Sequence, residues 1–239
     1  MDQHRIVSHD QWIAARKEFL AKEKEFTHLR DEISCQRREL PWERVQKNYV
    51  FDGPNGKESL GDLFAGKSQL IVYHFMFAPE WEEGCKSCSF WADNFERLPI
   101  HLKHRDVSLV AISRAPLAKL EAYRKRLGWS FKWLSSGGND FNYDYLVSFR
   151  EASETDYNYT KVKVPTTDLP GVSVFYKDAK GDIFHTYSAY ARGIDLMNAA
   201  YQYLDLTPKG RHEGDGRRVA NLGDLDAMSW LRRNDEYKD

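Results

Sequence analysis

From Ser8, a residue type suited to a helix N-cap, apolar residues recur every seven positions as Trp12, Phe19, Phe26, Ile33 and Leu40. Ala15 and Leu29 fall between them, and Pro41 ends the pattern. The spacing predicts one long amphipathic helix, an N-terminal extension over residues 1–41. Lys22 and Gln36 interrupt the second apolar position of the heptad, so the stripe suits docking on a body or on a partner helix better than a free-standing coiled coil. A helix packed on its own domain and a homodimer arm are both open readings.

After Pro41 the pattern changes. Tyr49 to Phe51 reads as a short strand, the DGPNGK stretch from Asp52 as a turn, and Leu60 to Phe64 as a brief helical segment. Leu70 to Phe77 is an unbroken apolar run rich in β-branched and aromatic residues, as expected of a strand covered on both faces and therefore central in a sheet. Ser89 to Leu98 reads as a helix, Val107 to Ile112 as a second buried strand, and Leu117 to Leu127 as a helix closed by Gly128. Val172 to Tyr176 and Ile183 to Tyr187 flank a turn from Asp178 to Gly181 as a hairpin, followed by a helix from Ile194 to Leu204. This order predicts an α/β sandwich over residues 42–206, a central mixed sheet with helices on both faces. Residues 129–169 read as an irregular insertion, and 207–239 as a weakly ordered tail.

Composition narrows the function classes. Lys and Arg total 35 against 36 Asp and Glu, so no global basic field is available for nucleic acid or anionic lipid. The longest apolar run is about half of what a bilayer crossing needs, and it carries His74. The N-terminus has no apolar core of a secretory signal, which makes a cytoplasmic location the expectation. Three cysteines cannot frame a disulfide scaffold, so a close pair in a reducing compartment points to redox chemistry or metal.

Two motifs fail on context. Gly61, Gly66, Lys67 and Ser68 spell a phosphate-binding loop, but such a loop follows a strand, and this one precedes it. Cys85 and Cys88 followed by His101 and His104 approximate a small zinc finger, but the histidine gap is too short and Pro99 interrupts the presenting helix.

The remaining reading of Cys85-Lys86-Ser87-Cys88 is redox. A C-x-x-C pair at the start of a helix that follows a buried strand aims helix N–H groups at the first sulfur, with the second one turn along the same face. Lys86 would assist the thiolate, while Glu82 and Glu83 would oppose it if they faced the sulfur. Arg114, just past the carboxyl end of the second buried strand, falls on the rim where open α/β sheets place their sites, and is the candidate cationic neighbour. Pro170 is a candidate cis proline opposite the pair. Trp81 is a candidate pocket wall, and Cys35 a packing residue.

At these residues the chain resembles the thioredoxin superfamily. Across nearly its whole length it is similar to the bacterial thioredoxin-like family known as domain of unknown function 899, through segments such as RRELPWERVQKNYVFDGPNG, SLGDLFAGKSQLIVYHFMFAPEW, GCKSCSFWAD and HTYSAYARG. The resemblance implies a thioredoxin-type fold with an N-terminal helical extension. It makes Cys85 the counterpart of the attacking cysteine, Cys88 of the resolving one and Pro170 of the cis proline. Unlike true thioredoxins the chain has no Trp directly before Cys85. The expectation is a thiol-disulfide oxidoreductase with no cofactor or metal, acting on a thiol or disulfide substrate such as a protein. The alternative is a non-catalytic binding module of the same fold, zinc-stabilised or simply folded.

Overall fold

The computed structural model describes residues 4–150, 154–164, 166–211, 213 and 228–238. The chain divides into two compact units, Met1–Pro41 and Trp42–Asp239.

The first unit is helix α1 (His9–Arg38). Ser8 caps it as the heptad start predicts: Ser8 Oγ accepts from the Gln11 amide, and Gln11 Oε1 accepts from the Ser8 amide, which satisfies two orphan donors reciprocally. None of its residues is buried, and the predicted stripe is exposed at Trp12, Phe19, Phe26, Leu29 and Ile33.

The second unit is built on an eight-stranded sheet. In chain order its elements begin with β1 (Glu43–Arg44), β2 (Val50–Gly53), β3 (Gly56–Ser59) and β4 (Gln69–His74). There follow α2 (Lys86–Ala92), α3 (Leu98–Leu102), β5 (Val107–Ser113), α4 (Leu117–Arg126), β6 (Lys132–Ser135) and the single turn α5 (Phe141–Asp144). The hairpin β7 (Glu154–Tyr157) and β8 (Thr160–Lys163) stands outside the main sheet, and β9 (Gly171–Lys177), β10 (Ile183–Tyr190) and α6 (Ala199–Leu204) complete the unit.

The sheet order is β1-β10-β9-β4-β5-β6-β2-β3. At its centre β4 pairs parallel with β5 and antiparallel with β9, which pairs antiparallel with β10. A parallel pair joined by a crossover helix, followed by an antiparallel hairpin and a helix, is the thioredoxin-like α/β topology. β4 is central, as its apolar run predicts, and its alternate residues serve two cores. Tyr73, Phe75 and Phe77 face the layer of α2, α4 and α6, while Leu70 and Val72 join the opposite core, with Leu63 and Phe64 of a 3-10 turn and Phe141 of α5.

The stretch Gly61 to Ser68 precedes β4 and buries Leu63 and Phe64 as core and turn, as its context predicts. Other expectations change. The helix after the cysteines starts at Lys86, three residues early, because the Ser89 amide already donates to the Cys85 carbonyl at 3.0 Å. It ends in a 3-10 turn over Asp93–Phe95, and Arg97, at φ 64°, separates it from α3. The stretch 129–169 is not irregular throughout: it supplies strand β6, helix turn α5 and the β7–β8 hairpin. Of the expected tail, residues 228–238 are packed on the unit, with Leu231 fully buried and the Trp230 ring edge-on to Phe90 at 5.7 Å. Residues 212 and 214–227 lie outside the described residues.

One buried polar chain crosses the sheet between β4, β9 and β10. His74 Nε2 meets Ser173 Oγ at 2.8 Å, Ser173 meets Ser188 at 2.8 Å, and Ser188 meets His185 Nε2 at 2.7 Å. His74 Nδ1 has no hydrogen-bond partner. Burial holds the His74 ring neutral, with its pKa lowered from 6.5 to about 3. No helix among the described residues is long and apolar enough to cross a membrane.

Candidate redox site

The loop between β4 and α2 delivers the two cysteines. The Cys85 amide donates to the Met76 carbonyl at 3.1 Å, tying the loop to the continuation of β4. Cys85 is the N-cap of α2 and is partly exposed, whereas Cys88, one turn on, is 2% exposed. Gly84 precedes them where a Cβ would meet Phe75 at 2.8 Å, so only glycine lets the loop pack this tightly.

The two sulfurs have opposite electrostatic environments. Polar interactions with the Cys88 side chain, the Cys88 and Ser87 backbone and the Ser87 hydroxyl favour negative charge on Cys85. Against the desolvation that opposes charge, these interactions lower the Cys85 pKa from 9.0 to about 7. Burial and the neighbouring Cys85 push Cys88 well above the ordinary thiol value. The pair therefore holds one accessible sulfur with a large thiolate fraction at neutral pH and one buried protonated sulfur beside it. Cys35 is exposed on α1 and belongs to neither role.

Two tyrosines that sequence reasoning missed interact electrostatically with Cys88. Tyr73 of β4 is fully buried and interacts electrostatically with Cys88. Tyr157, on the β7–β8 hairpin, also acts on Cys88 and is held at both ends: its hydroxyl donates to the Pro170 carbonyl at 2.7 Å and accepts from the Ala191 amide at 3.0 Å. The alternation of β4 places Tyr73 on the face of Phe75 and Phe77, a signal legible in the sequence; the position of Tyr157 has no such local signal.

The expected supporting residues are placed differently. Pro170 sits immediately before β9 and its carbonyl accepts from the Tyr157 hydroxyl, but no peptide bond among the described residues is cis, so the expected cis proline is trans. Its carbonyl and the Leu169 amide, which donates to Val147 at 2.9 Å, bind this stretch to the insertion. Arg114 does follow β5 at the same rim as the end of β4. Its guanidinium, however, is engaged with Asp168 at 2.8 Å, Tyr143 at 3.2 Å and Thr167 at 3.3 Å. The nearly buried Asp168 carboxylate, which also accepts from Ser148 at 2.6 Å, draws it onto the insertion and away from the thiolate role. Lys86 Nζ reaches the Ser229 carbonyl at 3.4 Å, because the docked 228–238 segment offers an acceptor beside α2. Trp81 is partly buried against the aromatic core.

A cation that fastens the residue before Cys85 is Arg233. Its Nη2 donates to the Gly84 carbonyl at 3.0 Å and its Nε to Tyr123 Oη at 2.6 Å. Tyr123 donates to the same Gly84 carbonyl at 3.2 Å and meets Ser89 Oγ at 3.0 Å, and Ser89 Oγ donates to the Cys85 carbonyl at 3.0 Å. Glu83 pairs with Arg233 at 2.8 Å and with Arg126, so its charge is matched away from the sulfur. Among the described residues no group of three or more His, Cys, Asp or Glu side chains is placed to hold a metal; His101 and His104 are exposed on α3 and the turn after it.

Fold and site together define a thioredoxin-fold protein with a dithiol at the mouth of a helix. The chain belongs to the family described as "Bacterial protein of unknown function (DUF899)", which matches residues 1–237. No curated protein matches it. Solved structures similar to it include the peroxidoxin BcpB from Mycobacterium tuberculosis, at TM-score 0.46 and 13% identity over 69% of this chain and 97% of that one. Peroxiredoxin Q from Xanthomonas campestris gives TM-score 0.46 and 12% identity over 69% and 97%. A yeast mitochondrial 1-Cys peroxiredoxin gives TM-score 0.39 and 17% identity over 66% and 74%.

Proposed function

We propose that the protein is a thiol-disulfide oxidoreductase in which Cys85 is the nucleophile and Cys88 the resolving thiol. One observation carries the reading: the partly exposed Cys85 caps the start of α2 beside the buried Cys88, whose side chain is the foremost influence drawing Cys85 toward the thiolate. Cys85 thiolate attacks one sulfur of a substrate disulfide, forming a mixed disulfide and releasing the other half as thiolate. Cys88 then loses its proton and attacks the Cys85 sulfur, which forms the intramolecular bond and expels the second substrate thiol. Two electrons pass from the dithiol to the substrate, and the reverse sequence returns them from a reducing dithiol. Because Cys88 is buried, Cys85 is the only sulfur of the pair an external disulfide reaches.

Redox titration against glutathione buffers, read by mass on the Cys85–Cys88 peptide, tests this reading. A two-electron transition with loss of two mass units in the folded protein is expected. A pair that stays reduced in mild oxidant, or stoichiometric zinc in the purified protein, would turn the reading to a binding module.

A further inference from the structure

Tyr73 is fully buried, yet its hydroxyl has no hydrogen-bond partner of normal geometry. Its ring is wedged edge-on between Phe95 at 5.0 Å and Phe75 at 6.3 Å, which fixes where the hydroxyl lies. Phenylalanine would fill the same space without burying an unsatisfied O–H, so packing does not account for the oxygen. Tyr73 and Cys88 lie in the same buried cluster, where the hydroxyl and the sulfur interact electrostatically, and the Met76 amide donates to that sulfur at 3.5 Å. The nearby Tyr157 hydroxyl already has an acceptor in Pro170 and a donor in Ala191, so Tyr73 holds the uncommitted proton. A thiol is a weak acceptor, whereas a thiolate is a strong one.

On the dithiol reading above, we propose that Tyr73 is a catalytic residue whose hydroxyl donates to Cys88 whenever that sulfur carries negative charge. In the oxidising direction, Cys88 gives its proton to solvent or to the departing thiolate, and its electron pair forms the bond to Cys85 while the Cys85–substrate bond breaks. In the reducing direction, an external thiolate attacks Cys85, the Cys85–Cys88 bond breaks, and the electron pair is left on Cys88. Both directions pass through a buried Cys88 thiolate, and Tyr73 and the Met76 amide are the donors in place to receive it. The otherwise idle O–H acquires its partner only in the reacting state, where stabilisation accelerates the step.

The test uses the full chain in a Cys35→Ser background, reduced and mixed with one equivalent of 5,5′-dithiobis(2-nitrobenzoate). One equivalent releases two thionitrobenzoates, the first on attack by Cys85 and the second when Cys88 resolves the mixed disulfide. Tyr73→Phe is expected to leave the first phase unchanged and slow the second about 10- to 100-fold, the weight of a hydrogen bond to a charged group. The pH midpoint of the second phase should rise with it. Site-specific 3-fluorotyrosine at position 73, a stronger donor of nearly the same shape, should quicken that phase. A second phase that is unchanged in Tyr73→Phe and in the fluorinated protein overturns the role of Tyr73 and leaves the dithiol reading standing. A wild-type trace with one phase, identical to that of Cys88→Ala, overturns the dithiol reading and the inference with it.

Discussion

The buried Cys88 side chain, one turn along α2 from Cys85, is the largest of the influences that favour the Cys85 thiolate. Removing it should therefore undo much of the shift. The rate of Cys85 alkylation by iodoacetamide is expected to rise with pH through a midpoint of about 7, since the reactive thiolate is lost below that value. In Cys88→Ala the midpoint should move back toward the ordinary 9.0, read by mass on the Cys85 peptide.

Arg114 separates the two roles a buried arginine on the rim can have. Its partner Asp168 is 3% exposed, so Arg114→Ala leaves a carboxylate buried without its cation. A loss of about 3–5 kcal/mol in urea unfolding is expected. The alkylation midpoint of Cys85 should stay in place, because the guanidinium is turned to the insertion.

Arg233 and the Gly84 carbonyl make the opposite case, a distant residue that fixes the cysteine loop. Arg233→Ala removes donors to Gly84 and Tyr123 and one of the two partners of Glu83. A loss of about 1–3 kcal/mol is expected. Amide exchange should quicken at Cys85 and Lys86 more than in β4, as hydrogen exchange read by NMR would report.

His74 gives a pH signature unrelated to the thiols. Its folded pKa of about 3 lies below the ordinary 6.5, so the unfolded chain binds the proton better. The stability this provides is present above pH 6.5 and is lost as pH falls toward 3, by about 2 kcal/mol at pH 5. His185, lowered first by burial, adds a slope of the same sign. Unfolding free energy measured between pH 7 and 5 should fall in the wild type and flatten in His74→Gln.

How far the sequence could be read follows from which forces are local. The apolar run of β4, the second run of β5, the hairpin of β9 and β10 and the capping of α1 by Ser8 each have a signal within ten residues, and so does the placement of Cys85 at a helix start. Strand β6 was illegible because four residues with Lys132 and Ser135 at its ends have no clear alternation. The partners of the charged residues were out of reach for another reason. Asp168 lies 54 residues from Arg114, and Gly84 lies 149 from Arg233, and nothing in the spacing of polar residues encodes contacts of that span. The Gly- and Arg-rich stretch after Thr207 likewise hides the signal of Leu231, whose burial depends on the surface it meets.

The long reach of Arg233 also bears on how the protein is made. At a synthesis rate of roughly 5–20 residues per second, the loop holding Cys85 leaves the ribosome many seconds before its latch. Over that interval the Cys85 thiol stands in a nascent chain with its loop unfastened, open to capture by any passing disulfide. A cell that makes this protein under oxidative stress would meet that hazard on the polysome, before a single finished molecule exists.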